Sequence, residues 1–301
     1  MKAIKLASVF AVSAVAAAVS TTTFAAEPVF KGTAGLEYKS QESGSDSAVS
    51  RGEVNIIGDT GLVYFDLDME GSSVKKNSKV KKLGESVEND PGQDTTFSLD
   101  EIYVKTGAVQ FGDFDGTILD NVAYNAGVEE DNDHAKDDFG NDLGVRYMVN
   151  DNLTVAFEIE EGDNVGSLNA AYTTEFSGVT LGVSAGYKMS DDVDNQLLTV
   201  GVKAPLGMAT LSSFVRVGSV NDADVMNTGI GLDLPVSEEL VLAAQYYTKG
   251  GESSKGVDEK DQGRTEFTAY YTPGDVTFYA SYLAYEADKS DYSVVGAKVS
   301  F

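Results

Sequence analysis

LGVRYMVNDNLTVAFEIE, residues 143 to 160, decides the fold. Leu143, Val145, Tyr147 and Val149 alternate with Gly144, Arg146 and Met148. After Asn150 and Asp151, Leu153, Val155, Phe157 and Ile159 alternate with Thr154, Ala156, Glu158 and Glu160. A period of two places one set on each side of a strand, and an Asn-Asp turn joins the two strands into a hairpin with one apolar face. The other face carries Arg146, Glu158 and Glu160, which a dry core tolerates only when paired.

The same period recurs along the chain. Before this hairpin come Phe30 to Tyr38, Arg51 to Ile57, Leu62 to Glu70, Thr96 to Lys105 and Val109 to Asp113. After it come Leu168 to Phe176, Val179 to Tyr187, Leu198 to Ala204, Ala209 to Val217, Met226 to Leu234 and Leu240 to Thr248. Thr265 to Tyr271, Val276 to Ala284 and Val295 to Phe301 complete sixteen segments. Short connections lie at Asp59-Thr60, Thr106-Gly107, Asn150-Asp151, Ser177-Gly178, Pro205 to Gly207, Pro235 to Ser237 and Pro273-Gly274. Long polar ones fall between them, chiefly Gln41 to Ser47, Gly71 to Asp94, Gly116 to Gly140 and Lys249 to Gln262. A soluble β-sandwich also alternates, but its loops need not segregate to one end. Tight turns at one end and long loops at the other predict an all-β fold, a transmembrane antiparallel barrel of about sixteen strands whose lumen admits water.

The start of the chain agrees with export. Lys2 and Lys5 precede an apolar run from Leu6 to Val19 and a Thr-Phe-Ala tripeptide ending at Ala25, the pattern of a signal peptide over residues 1–25. That run is shorter than the ~20 residues of a spanning helix. Residues 26–301 then form a single barrel. With 22 basic against 48 acidic residues the formal charge is -26, so nucleic acid is excluded as a partner and cations are favoured. There is no cysteine to build a disulfide framework.

Phase assigns the side chains to two faces. Phe30, Tyr38, Tyr147, Phe176, Tyr187, Tyr246, Tyr271, Tyr282 and Phe301 point outward near strand ends, where aromatic girdles meet lipid headgroups. Lys31, Glu37, Arg51, Glu53, Asn55, Asp66, Asp68, Arg146, Glu158, Glu160, Lys203, Arg216, Arg264, Glu266 and Lys298 point inward, all four arginines among them. Inward Tyr64, Phe214, Tyr247, Tyr270 and Tyr279 keep open an oligosaccharide-specific channel, and a closed structural or adhesive barrel is a further alternative.

Nothing points to catalysis or to a cofactor. His134 is the single histidine and has no nucleophile at readable spacing. The stretch around Asp131 and Asp133 fails the calcium-loop spacing at Ala135 and Lys136. Lys75, Lys76, Lys79, Lys81 and Lys82 form a basic cluster that could meet lipopolysaccharide phosphates.

In its architecture the chain resembles the trimeric, sixteen-stranded general porins of Gram-negative outer membranes. Gly296 to Phe301 is similar to the barrel-assembly signal ending in Phe, and Gly107 to Gly116 to the strand that enters a folded-in third loop. The resemblance implies a homotrimer among outer-membrane lipids and lipopolysaccharide, with Phe301 addressing the assembly machinery and small hydrophilic solutes passing through. It also implies a constriction in which loop acids face wall arginines. Here the loop is 116–140, with Asp120, Glu129, Glu130, Asp131, Asp133, Asp137 and Asp138. Asp100 stands where the family often has an arginine, which favours cations.

Overall fold

The computed structural model describes residues 29–42, 46–74, 94–130, 143–159, 165–188, 195–220, 223–252, 258–286 and 291–301. The signal-peptide segment lies outside them. Sixteen strands follow in order: β1 Val29–Gln41, β2 Ser47–Asp59, β3 Val63–Val74, β4 Asp94–Thr106, β5 Val109–Asp113, β6 Leu143–Asn150, β7 Leu153–Ile159 and β8 Gly166–Phe176. Then come β9 Val179–Lys188, β10 Asn195–Leu206, β11 Ala209–Val220, β12 Ala223–Pro235, β13 Leu240–Glu252, β14 Asp258–Tyr271, β15 Val276–Tyr285 and β16 Tyr292–Ser300. Each pairs antiparallel with its sequence neighbours, and β1 pairs with β16 to close the sheet. At the seam the Gly32 and Phe301 main chains exchange hydrogen bonds of 2.9 Å in both directions.

Closure removes the free edges that an open sheet would expose, so every strand keeps two partners. The seven short turns share one end. The β8–β9 turn shows why it is tight: Ser177 and Gly178 both have positive φ, 54° and 79°, as a two-residue turn that follows the strand twist requires.

The two faces are inverted relative to a soluble protein. On β10, Leu198 and Val200 are exposed while Thr199 and Gly201 are covered; on β9, Leu181, Val183 and Tyr187 are exposed while Ser184 is covered. All nine outward aromatics named from the sequence are exposed. They form two belts, with Phe30, Tyr147, Phe176, Tyr271 and Phe301 toward the turn end and Tyr38, Tyr187, Tyr246 and Tyr282 toward the loop end. Hydroxyls of the second belt reach loop acids: Tyr38 donates to Asp46 at 2.8 Å and Tyr282 to Asp291 at 2.9 Å. The Tyr38 bond, with one from Ser40, holds the Asp46 carboxyl below its usual range.

Two sequence expectations are corrected. The stretch 249–262 is mostly strand, because β13 and β14 pair beyond Lys249 through a bulge and reach Glu252 and Asp258. In β4 the alternation slips by one residue: Asp66 pairs with Glu101 and Leu67 with Leu99, leaving Asp100 as the extra residue of a bulge. The slip brings Glu101 into the inward phase alongside Tyr103 and Lys105.

Candidate constriction of the lumen

After β5 the chain turns into the barrel, and residues 114–130 follow the inner wall. Phe114, Ile118, Leu119, Val122, Ala126 and Val128 are buried there. Ile118 packs on Ala156 and Ala171, and Leu119 on Leu197, Val220 and Val225. Further along, Ala123 meets Phe214 and Tyr247, and Ala126 and Val128 meet Ala243 and Tyr270. Burying a side chain of the Leu or Val class stabilises by about 1.5–3 kcal/mol, so these contacts hold the segment against water.

The wall is shaped to receive it. Gly182 and Gly201 are cross-strand neighbours, and Gly231 lies further round on β12. A Cβ on Gly182 would come 2.6 Å from Val122 Cβ, one on Gly231 2.5 Å from Ala126 Cβ, and one on Gly201 would collide with the Val122 carbonyl oxygen. The three glycines form a trough that a side chain would fill.

Wall side chains then bind the loop's main chain. The Ile118 N–H donates to Glu158 at 3.2 Å, that of Ala126 to Gln245 at 2.8 Å and that of Gly127 to Asp233 at 2.8 Å. The Glu129 and Glu130 N–H groups both donate to Glu266, at 3.1 and 2.9 Å. Glu158, 0% exposed, also accepts from Asn169 at 2.6 Å and pairs with Arg146 at 3.1 Å. Arg146 donates in turn to the Gly116 carbonyl.

Three acids of the described segment are each matched to a wall base. Asp120 pairs with Arg216, Glu129 with Lys298 at 2.6 Å and Glu130 with Lys39 at 3.5 Å. Two of the three partners are lysines, where the porin resemblance implied arginines. Arg216 itself is 0% exposed: it donates to Thr199 at 2.9 Å beneath the loop and, like Glu158, does not line open lumen as the sequence reading expected.

Acids at the root of the loop are differently placed. Asp66, Asp68, Asp113 and Asp115 all lie within electrostatic reach of Asp100, and Glu101 accepts the Asp115 N–H at 3.1 Å. Oδ1 of Asp66 and Oδ1 of Asp68 are covered and accept no hydrogen bond. Arg264 sits apart, its guanidinium 5.1 Å from the Tyr285 ring. Asp131, Asp133, Glu160 and the Arg51 side chain fall outside the described residues, as does His134.

The inward aromatics named for sugar stacking are used in packing. Phe214, Tyr247 and Tyr279 are buried, Tyr270 packs on the loop, and Tyr279 donates to Glu37 at 3.1 Å. Tyr64 instead stacks on Tyr103. Sequence reasoning missed Glu101, Gln245, Asp233 and the glycine trough as parts of the site. A signal for the trough was present, since Gly182, Gly201 and Gly231 all fall in the inward phase of nearby strands.

No family model and no curated protein matches the sequence. Solved structures do. The trimer form of in-vitro folded OmpT, an outer membrane protein of Vibrio cholerae, aligns over 92% of this chain and 100% of its own at 15% identity and TM-score 0.64. OmpF of Salmonella typhi in complex with daunomycin aligns over 91% and 97% at 12% identity and TM-score 0.66. The outer membrane channel DcaP of Acinetobacter baumannii aligns over 92% and 98% at 11% identity and TM-score 0.61. Likeness at such identities speaks for fold, and the fold this chain has is that of the outer-membrane porins, a closed transmembrane barrel of sixteen antiparallel strands.

Proposed function

We propose that the chain forms a water-filled outer-membrane channel for passive diffusion of small hydrophilic solutes and ions, with a preference for cations and no catalytic activity. One observation carries the preference. Asp120, Glu129 and Glu130 of the inner segment are balanced by Arg216, Lys298 and Lys39, whereas Asp66, Asp68, Asp100, Glu101 and Asp115 at its root form no ion pair among the described residues. Negative potential therefore concentrates on the β3–β4 wall, where it enriches cations.

The apolar outer face with its two aromatic belts supports a seat in a bilayer, and export through a cleaved leader of residues 1–25 fits that seat. Membrane lipids and lipopolysaccharide then surround the barrel, and Phe301, bonded to Gly32 at the seam, addresses the assembly machinery. A homotrimer is the assembly proposed, after the trimer form of OmpT. An oligosaccharide channel is disfavoured, because four of the five aromatics it would use are taken up by packing.

Purified protein in a planar bilayer tests the proposal. Stepwise ohmic conductance is expected, with a reversal potential of cationic sign under a potassium chloride gradient. A folded barrel that passes no current would make the closed structural barrel the correct reading, and anion preference would remove the electrostatic argument.

A further inference from the structure

β1 and β16 are the one neighbouring pair of strands that is not consecutive in the chain. Elsewhere a turn or loop limits how far two strands can part. Here lateral contacts alone do so, and they close the longest loop in the molecule, at the largest entropy cost. The barrel opens most readily along this seam unless side chains reinforce it.

Side chains do cross it on the lumen side. Gly296 of β16 is the register partner of Glu37 on β1 and of Tyr279 on β15, and a Cβ there would collide with the Tyr279 ring. Without one, Tyr279 lies over β16 and donates to Glu37 at 3.1 Å, the two residues being 8% and 6% exposed. Nearer the loop end, Lys39 of β1 sits 3.3 Å from the ring centre of Tyr292 on β16, a cation–π contact across the seam.

The tip of the inner segment lies over the same line, and its two consecutive acids take different strands. Both carboxylate oxygens of Glu129 accept from Lys298 on β16, at 2.8 and 2.6 Å. Glu130 pairs with Lys39 on β1 at 3.5 Å and also accepts from the Tyr292 hydroxyl on β16. From the other side Glu266 of β14 accepts both of their N–H groups, at 3.1 and 2.9 Å. Consecutive Cα atoms stay 3.8 Å apart, so a tip bonded to two strands ties one to the other. The Glu129 and Glu130 side chains are 14% and 8% exposed, which weakens screening of the two ion pairs by salt.

We propose that Glu129 and Glu130 form an inner clasp on the barrel seam, tying β16 to β1 from an anchor on β14, so that closing the wall and narrowing the lumen are one cooperative event. The tip docks fully only in a closed barrel, because Lys298 and Lys39 are brought together only there. Once docked, it slows reopening. The clasp is a property of the barrel itself and goes beyond the channel reading above.

The test is the unfolding rate of the intact folded barrel in urea, read from its migration on gels, with and without a covalent lock on the seam. The chain has no cysteine, so a lock adds the only two thiols. Thr33 and Ser300 are register partners beside the hydrogen-bonded Gly32 and Phe301 pair; they occupy the closer, non-hydrogen-bonded site, where a disulfide fits. Glu129→Gln/Glu130→Gln should unfold about tenfold faster than wild type, the scale of two partly exposed ion pairs. With Thr33→Cys/Ser300→Cys added, that rise should vanish on oxidation and return on reduction. With Glu175→Cys/Thr180→Cys, which locks β8 to β9 instead, it should persist. Hydrogen exchange in the unlocked variant should quicken about tenfold in β1 and β16 and stay at the wild-type rate in β9 and β10. Lys39→Gln alone frees β1 while Glu129 keeps β16, and should give a lock-dependent rise of about threefold; it carries the same arms if the double variant does not assemble. A rise that survives the seam lock, no rise, or exchange that quickens only in segment 114–130 overturns the proposal.

Discussion

Two double substitutions, Asp66→Asn/Asp68→Asn and Glu129→Gln/Lys298→Gln, separate acids that set the pore potential from acids that merely fasten the loop. Each changes two charged groups, but the first removes two negative charges and the second a neutral pair. A cation on the path beside β3 lies about 7 Å from both aspartates, the length of a two-residue strand step. In water each charge then contributes about 0.6 kcal/mol, reduced to about 0.25 kcal/mol by a Debye length of about 8 Å at physiological salt. Together they contribute about 0.5 kcal/mol, roughly a twofold enrichment of cations and a matching depletion of anions. Removing them should lower the cation-to-anion permeability ratio about fivefold at 0.15 M and about twentyfold at 0.01 M, where the screening length is about 30 Å. Reversal potentials at the two salt concentrations measure both ratios. A shift from the paired deletion as large as that from the aspartates, or no shift from the aspartates, would refute the assignment of the potential to the β3–β4 wall.

Three further outcomes are expected. Gly201→Ala places a methyl against the Val122 carbonyl, so the heat-modification midpoint on gels should fall by an amount equivalent to about 1–3 kcal/mol; an unchanged midpoint would show that the trough does not hold the loop. Glu158→Ala strands Arg146 and removes the acceptor for Ile118, at a cost of about 3–5 kcal/mol, and should admit proteases to the 114–120 segment; wild-type resistance would contradict the clamp. Deleting Phe301 removes both main-chain bonds to Gly32 and should slow assembly of the heat-modifiable form in vivo, an idea that normal assembly kinetics would defeat.

The barrel was legible because lipid and water impose opposite demands on alternate residues, and Leu143 to Ile159 records that conflict one residue at a time. The bulge in β4 left a trace as well: outward Leu99 is followed by Ile102 and then Val104, an interval of three where two was due. The extension of β13 and β14 was not legible, since polar strands above the membrane carry no apolar alternation to mark them. Nor were the loop's ion pairs. Glu129 and Lys298 are 169 positions apart, and phase gives the side a residue faces, not the partner it meets there. That is why Arg216 and Glu158 fell on the correct face yet turned out to be covered by the loop.

Besides its packed side chains and three ion pairs, the inner segment is fastened through its own amide groups, which Glu158, Gln245, Asp233 and Glu266 grip. The amide part of this anchorage is indifferent to the side chains at positions that neither pack on the wall nor pair with a wall base. Exposed positions such as Asn121 and Gly127 can therefore exchange side chains while the fastening stays in place. The wall acts as a standing mount, and the segment as a replaceable insert by which the bore of one barrel can be retuned over evolutionary time or at the bench.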